Sequence, residues 1–354
     1  MLKKGELKGA DIVPHEKGTL HIDMPDFSDE VDGLFLSVTD KYGHELWRWS
    51  WKIDKENIDE KHSKKKVSFE LGTPFCEEDS ECIKVKVGNK SYLFSKKGGF
   101  LKSVTVNDRK ISFGNGPRFI GARRGDRSFD QFFNHDDPDA KKLDRVYKEF
   151  GDRAMVDSIF VREYENQLMV NVLYKLGNMQ RATWTVCPDG SLELEYVYHF
   201  DGVVDLMGIC FDYPEERVIS KRWLGDGPYR VWQNRLHGVA YNVWENEYND
   251  PIPGESFVYP EFKGYFSNCS WMNIETQEGL ISIVNETPNT YIGIYQPRDG
   301  RDALLYTLPE SGISVMDVIP PVRNKVNATD LIGPSSQPNW VQGEKKGKLI
   351  FNFQ

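Results

Sequence analysis

Long apolar runs are missing from this sequence of 354 residues, of which 28% are charged and 39% hydrophobic. No stretch approaches the ~20 consecutive apolar residues that a membrane-spanning helix needs, which excludes a membrane partner. The N-terminal segment, residues 1–15, has lysines but lacks the apolar run that follows them in a secretory signal. The composition therefore predicts a soluble protein with no signal peptide in this chain.

Excess positive charge is missing too. The formal net charge is −9 and the pI is about 5.4, so the overall field repels nucleic acid and excludes it as a partner. The five cysteines show neither C-x-x-C nor Cys/His ligand spacing, which favours reduced thiols and no metal site. Their positions are 76, 82, 187, 210 and 269, and the first two bracket a short acidic loop.

Common catalytic motifs are absent as well. The sequence has no G-x-S-x-G elbow, no H-E-x-x-H pair and no phosphate-binding glycine loop. These absences exclude the commonest classes of serine hydrolase, metalloprotease and nucleotide-dependent enzyme, and no cofactor is predicted. Paired carboxylates for glycoside hydrolysis cannot be recognised by spacing, because the two groups come from distant strands.

Short alternating runs dominate what is present, and aromatic residues reach 13%. Many strands at short intervals, separated by Gly, Asn and Asp turns, predict an all-β fold built on a large antiparallel β-sandwich. Three strands are predicted near the N-terminus, at 18–24, 33–40 and 45–53, before a charged linker. One helix is predicted at 139–150, where Leu143, Val146 and Phe150 share a face.

Aromatic and polar residues concentrate between positions 222 and 271, in a segment rich in Gly, Pro and Asn. Sugar sites pair flat aromatic rings with Arg, Asn and carboxylate groups, so this segment predicts a carbohydrate site. A structural alternative stays open for each of these aromatics, in which Trp232 and Trp244 pin the loop to the sandwich and the Arg and Glu residues pair with each other. The candidate residues are Trp223, Tyr229, Trp232, Asn234, Arg235 and Glu261.

A second cluster, at residues 114–133, holds Arg118, Arg123, Arg124 and Arg127 beside glycine-rich turns. These arginines either clamp a ligand or form an ion-pair network, and the sequence does not decide between the two.

Two stretches together resemble family 2 glycoside hydrolases of the β-galactosidase type. The run GFLKSVTVNDRKISFGNGPRFIGAR is similar to the entry to the family's C-terminal sandwich, and WLGDGPYRVWQNRLHGVAYNVW to its Gly-x-Gly-Pro loop. Residues 9–53 are similar to the end of the immunoglobulin-like domain that precedes it. The family's late Asp-Ser-Trp segment has no clean match here.

The resemblance implies a galactose mutarotase-like supersandwich at 67–354, a partial immunoglobulin-like β-segment at 1–55 and a charged linker at 56–66. It also implies that the catalytic glutamates lie in a barrel that this chain lacks, so no catalytic residue is assigned. The residues that match the family, Arg123, Tyr229, Trp232, Arg235 and Glu261, would border a site for a galactoside or related glycan. Arg118, Trp223 and Asn234 join them as candidates from their residue types alone. The compartment stays open between the cytoplasm and the periplasm of a bacterium.

Three functions follow as hypotheses. The first is an accessory, non-catalytic C-terminal portion of a β-galactosidase-like enzyme, which completes the active-site rim and stabilises assembly with a catalytic barrel domain or subunit. The second is a freestanding carbohydrate-binding module. The third is an independent mutarotase-like epimerase or lyase, for which His135, His237 and Glu261 are the candidate acid and base groups.

Overall fold

In the computed structural model, the described residues are 4–23, 31–53, 71–124, 147–149, 153–247, 264–295, 311–321 and 338–354. The chain divides into two units, Met1–Val67 and Ser68–Gln354. Every regular element in the described ranges is a β-strand apart from one 3-10 turn at Glu215–Arg217, which confirms the all-β prediction. Across these ranges, no helix is long and apolar enough to cross a membrane.

The first unit contains one antiparallel hairpin, formed by β1 (Gly33–Thr39) and β2 (Glu45–Lys52). Both strands were predicted to within one residue. The strand predicted at 18–24 is wrong, because residues 18–23 have no regular structure and residue 24 lies outside the described ranges. The charged linker at 56–66 lies outside them as well.

The second unit contains the remaining strands in two large antiparallel sheets and one small one. In chain order they are β3 (Phe75–Glu78), β4 (Cys82–Val87), β5 (Lys90–Ser95), β6 (Leu101–Val106), β7 (Arg109–Ile111), β8 (Gly114–Arg124), β9 (Tyr147–Glu149), β10 (Met155–Tyr164), β11 (Gln167–Leu176), β12 (Met179–Val186), β13 (Leu192–His199), β14 (Gly202–Val204), β15 (Leu206–Asp212), β16 (Val218–Gly227), β17 (Ala240–Glu247), β18 (Phe266–Ser267), β19 (Trp271–Thr276), β20 (Gly279–Asn285), β21 (Tyr291–Tyr295), β22 (Gly312–Val318), β23 (Asn339–Val341) and β24 (Glu344–Phe353).

One sheet has nine strands in the order β10-β11-β12-β13-β24-β20-β19-β16-β17. The other has eleven, with the path β18-β21-β22-β15-β8-β6-β5-β4-β3, while β7 pairs with β6 and β9 with β8. β9 covers part of the helix predicted at 139–150, so that prediction is wrong for Tyr147–Glu149. The rest of the predicted helix lies outside the described residues.

The two sheets pack face to face over an aromatic core. Phe351 of the nine-stranded sheet lies 5.3 Å from Phe113 and 5.3 Å from Phe211 of the other sheet, measured between ring centroids. Trp184 and Phe94 meet across the same interface at 5.8 Å. Each fully buried aromatic side chain contributes about 1.5–3 kcal/mol through burial alone. These contacts hold the sheets together as a sandwich, as predicted.

The eleven-stranded sheet is buried on both faces at its centre. Phe119, Ile209 and Val315 face the core, whereas their neighbours Ile120, Cys210 and Met316 belong to a second buried cluster. Because successive residues of a strand point to opposite faces, the second cluster must cover the opposite side of this sheet. The same side carries the Arg118–Asp212 ion pair of β8 and β15.

Among the polar contacts that join the two sheets, the Tyr198 hydroxyl of β13 donates to the Asp317 carboxylate of β22. Burial raises the pKa of Asp317, although the Tyr198 hydrogen bond and the charge of Lys345 oppose this shift. A raised folded-state pKa means that the contribution of Asp317 to stability is present below its ordinary pKa and is lost as pH rises through the folded value.

Replacement of Asp317 by Asn should therefore raise the melting temperature at pH 7, because the amide oxygen still accepts from Tyr198 and no buried charge forms. The advantage over the wild type should shrink as pH falls through the folded-state pKa of the carboxyl, which lies above the ordinary value of 3.8. Calorimetry at several pH values measures both effects. A variant less stable than the wild type at pH 7 would contradict this assignment.

Candidate functional site

An ion pair marks the outer side of the eleven-stranded sheet at β8 and β15. The Arg118 guanidinium donates to Asp212 over 2.5 Å, and the side chain of Asn115 donates to the other oxygen of the same carboxylate over 2.7 Å. Both members of the pair are partly exposed, so its worth to stability is modest. The pair acts mainly to position side chains, because the Asp212 carboxylate holds both Arg118 and Asn115 of β8.

The row of residues beside Arg118 can be followed across the sheet by register. Arg118 pairs with Cys210, Cys210 with Ser314, and Ser314 with Gly293. The Oγ of Ser314 is fully buried and has no hydrogen-bond partner among the described residues. A Cβ at Gly293 would lie 2.5 Å from that Oγ and 2.9 Å from the ring of Tyr265. The absence of a side chain at Gly293 therefore lets the Tyr265 ring lie on the sheet.

Tyr265 connects this face to the aromatic segment. Its backbone exchanges two hydrogen bonds with Val231, of 2.8 and 3.0 Å. Val231 and Tyr265 are both buried in the second cluster. Gly264 has φ +49, and a Cβ there would lie 2.9 Å from the Trp232 indole. The segment 229–239 is thus held on the same side of the sheet as Arg118.

The start of this segment is a second polar centre. Asp226, in the Gly-Asp-Gly-Pro sequence at 225–228, accepts hydrogen bonds from Ser267 Oγ and Asn268 Nδ2, both of 2.7 Å. Burial, followed by the Asp226 charge, raises the pKa of Tyr291. The carboxylate is therefore held rigidly by side chains of the neighbouring loop, close to the hydroxyl of Tyr291.

Two buried cations lie behind this centre. The guanidinium of Arg230 lies 5.1 Å from the ring centroid of Phe266, and the ammonium of Lys221 lies 5.5 Å from the same centroid. Arg230 is 3% exposed and Lys221 is 1% exposed, and both make further interactions. Desolvated cation–π contacts of this kind are worth about 2 kcal/mol. Both contacts hold cations against the ring of Phe266, beside the turn.

The predicted carbohydrate-binding residues separate in the structure. Trp223 is fully buried, packs edge-on against Phe266 at 4.8 Å and donates to the backbone oxygen of Asp226. It has no free face for a sugar, and it corresponds to the structural alternative. Six of the others are at least partly accessible: Tyr229 and Arg235 are exposed, Trp232 and Asn234 are half-buried, Arg118 is partly exposed and Arg123 is exposed at the end of β8.

The structure does not describe the side chains of all the candidates. Glu261, His135, Arg124 and Arg127 fall where side chains are not described, so the predictions for them stay predictions. His237 is exposed at the end of the segment 229–239. In the described part of the chain, no group of three or more His, Cys, Asp or Glu residues is placed to hold a metal ion. All five cysteines are free thiols.

Three polar residues of this face were missed from the sequence: Asn115, Asp212 and Asp226. A signal for two of them was present, because residues 114–117 and 225–228 read Gly-Asn-Gly-Pro and Gly-Asp-Gly-Pro. Both Gly-Pro peptides are cis, and the polar residue between the glycines makes the side-chain contacts described above. Asp212 carries no local signal, since only the register of β8 and β15 brings it to Arg118.

A groove of about 660 Å³ adjoins the ion pair, and its lining includes Asn115, Asp212, Arg217 and Glu278 together with Lys102 and Lys110. Glu278 accepts hydrogen bonds from the backbone and hydroxyl of Ser112, of 3.0 and 2.8 Å, and from Arg217. Burial raises the pKa of Glu278, but these hydrogen bonds and the Arg217 charge outweigh it, so the net shift is downward. Burial raises the pKa of Tyr213, also in the groove, to about 12.

Comparison with protein families finds a match over residues 86–314 to the family described as the β-galactosidase small chain. A comparison with curated proteins finds no match.

Among solved structures, galactose 1-epimerase from Lactobacillus acidophilus NCFM is 8% identical, with a TM-score of 0.39 over 79% of this chain and 97% of that chain. An aldose epimerase homologue from C. elegans is 9% identical, with a TM-score of 0.32 over 75% and 96%.

Replacement of Gly293 by Ala should displace Tyr265 and loosen the segment 229–239. Overpacking of a filled core costs about 1–3 kcal/mol, and the melting temperature should fall accordingly. Hydrogen exchange should quicken at residues 229–239. Ser314→Ala serves as the control, because it removes a buried hydroxyl without adding volume. A drop in stability with unchanged exchange at 229–239 would contradict the anchoring by Tyr265.

Replacement of Glu278 by Gln should destabilise the second unit by about 2 kcal/mol at pH 7, because charge-assisted hydrogen bonds from Ser112 and Arg217 weaken. The lowered pKa means that this contribution is present above the ordinary value of 4.5 and is lost as pH falls through the folded-state value. Denaturant titrations at pH 7 and pH 3 measure the difference. An equal difference at both pH values would show that the charge is not responsible.

Proposed function

Since the chain belongs to the β-galactosidase small-chain family, we propose that it is the accessory, non-catalytic portion of a β-galactosidase-type hydrolase. It completes the rim of a carbohydrate site whose catalytic residues belong to another domain or chain, and it stabilises the assembly. The observation that carries this proposal is the family match over residues 86–314.

The arrangement of the site supports a rim rather than a catalytic centre. Asp226 and Asp212, two carboxylates of this face, are each engaged by neutral or cationic donors. Fixed polar groups beside exposed aromatics are typical of substrate positioning.

The exposed part of the rim is the segment 229–239. Tyr229 is 46% exposed, and Arg235 is exposed four positions after the buried Val231. The backbones of Trp232 and Arg235 exchange hydrogen bonds of 3.2 and 2.8 Å, which closes a tight turn. Gln233 donates from its backbone to Pro320 and from its side chain to Asn339. A turn braced in this way holds Tyr229 and Arg235 in place, with little ordering cost when a sugar binds.

The direct test mixes the purified chain with a β-galactosidase catalytic chain that lacks its own small chain. The expected result is a complex that hydrolyses a chromogenic β-galactoside faster than the catalytic chain alone, while this chain alone shows no turnover. Two outcomes overturn the proposal: turnover by this chain alone, or neither a complex nor a change in rate.

Within such a complex, Tyr229→Ala and Arg235→Ala should each raise KM about 5- to 10-fold, the equivalent of one lost hydrogen bond or ring contact, with a smaller effect on kcat. Assembly should be unchanged. Tyr164→Ala is the matched control, because Tyr164 is also an exposed tyrosine, 60% exposed at the end of β10. Equal effects of Tyr164→Ala and Tyr229→Ala on KM would show that the segment 229–239 is not part of the rim.

A further inference from the structure

The hairpin of the first unit carries an unusually apolar face. The register pairs Leu34 with Trp51, Leu36 with Trp49 and Val38 with Trp47. Directly paired residues of antiparallel strands point to the same side, and positions two apart along a strand do so as well. One face of the hairpin therefore consists of these six side chains, which we call the tryptophan face: Leu34, Leu36, Val38, Trp47, Trp49 and Trp51.

The tryptophan face is open in the structure. Trp47 is 62% exposed, Trp51 48%, Trp49 41% and Val38 40%. Half of the surface of three tryptophans, at roughly 150–250 Å² each, already amounts to about 300 Å² of apolar surface before the aliphatic residues are added. Contiguous patches of this size on soluble proteins mark binding surfaces.

The opposite face of the hairpin carries more polar side chains. Arg48 lies over the ring of Phe35, with 4.8 Å between the guanidinium carbon and the ring centroid, and it also donates to Glu45 over 2.6 Å. Ser37 and Ser50 lie on the same side by alternation. A strand pair with one solvated and one apolar face is typical of a layer in a β-sandwich.

A pair of strands is too small to stand as such a layer alone. In the described part of the first unit, β1 and β2 pair only with each other. An isolated two-stranded hairpin is marginally stable in water and gains stability when its apolar face is covered. The tryptophan face therefore requires a second apolar layer.

The geometry of the rings favours a protein layer over a polysaccharide. Trp47 and Trp49 have centroids 6.5 Å apart and ring planes inclined by 62°. A flat glycan chain needs rings that lie in one plane, whereas inclined rings interleaved with Leu and Val fit between the side chains of an opposing sheet.

We propose that the tryptophan face docks against the apolar face of a β-sheet in the catalytic chain and forms a composite sandwich with it. This inference rests on the proposed function, because it is the small-chain family that supplies a catalytic partner. The apolar area is about right for the core of one side of a standard interface, in which each partner buries ~800 Å² including its polar rim.

The test compares Trp47→Ser with Leu46→Ser. Both residues are 62% exposed, but Trp47 pairs with Val38 on the tryptophan face, whereas Leu46 is the unpaired residue between the Val38–Trp47 and Thr39–Glu45 pairs. Affinity for the catalytic chain is measured by calorimetric titration of the full-length chain. Trp47→Ser should weaken the complex about 30-fold or more, as expected for a central tryptophan anchor, whereas Leu46→Ser should change it less than threefold.

The remaining outcomes separate this proposal from the proposed function. If the wild-type chain binds no catalytic chain, the proposed function fails. If it binds and Trp47→Ser binds equally well, only the docking surface fails. A concentration-dependent dimer of the chain alone that Trp47→Ser abolishes would assign the face to a second copy. If Trp47→Ser lowers the thermal stability of the chain alone, the tryptophan face packs against this chain's own residues. If Trp47→Ser abolishes retention on insoluble polysaccharide, the tryptophan face binds a glycan. Each of these three results overturns the proposal.

Discussion

Alternation along the central strands of the eleven-stranded sheet is the constraint on which the rest of the second unit depends. Phe119, Ile209 and Val315 are committed to the core between the sheets, where Phe211 and Phe351 meet at 5.3 Å. A slip of one residue would move these side chains to the opposite face and turn Arg118 and Ser314 towards the core, so hydrophobic burial fixes the register of β8, β15 and β22. The residues between them are then forced onto the opposite side, which puts Arg118, Cys210 and Ser314 in one row.

The same constraint makes the turn segment part of that side. Its cover consists of Val231 and Tyr265, which bury against Ile120 and Met316 in the second cluster. Polar groups border this small apolar patch, with the Arg118–Asp212 pair at one boundary and Asp226 at the start of the turn. Burial holds the frame of this face and short hydrogen bonds hold its polar groups, which supports the proposal that it positions a rigid polar ligand.

Local sequence signals predicted the parts of the fold that local physics decides. The hairpin at 33–52 follows from strict alternation around a Lys-Tyr-Gly-His turn, and the all-β class from many such runs. The helix prediction at 139–150 is wrong for Tyr147–Glu149, which form β9. This strand is stabilised by pairing with β8, whose residues lie about 25 positions away in the sequence. A short amphipathic window does not distinguish these outcomes.

The candidate site was only partly predictable for the same reason. Trp223 is the type of residue on which a sugar ring stacks. However, β16 lies between β17 and β19, and this position within the sheet buries the indole against Phe266. Asn115 and Asp226 read as ordinary turn residues between glycines, and their partners Asp212, Ser267 and Asn268 are distant in sequence. Aromatic content identified the segment, while register decided which of its side chains are accessible.

One measurement addresses both the assembly and the rim: hydrogen exchange of the full chain, alone and after addition of a β-galactosidase catalytic chain. An accessory portion that docks through its hairpin and borders the sugar site should gain protection at residues 33–52 and at residues 229–239, with little change in β10–β12. Unchanged exchange in both segments at saturating catalytic chain would contradict it.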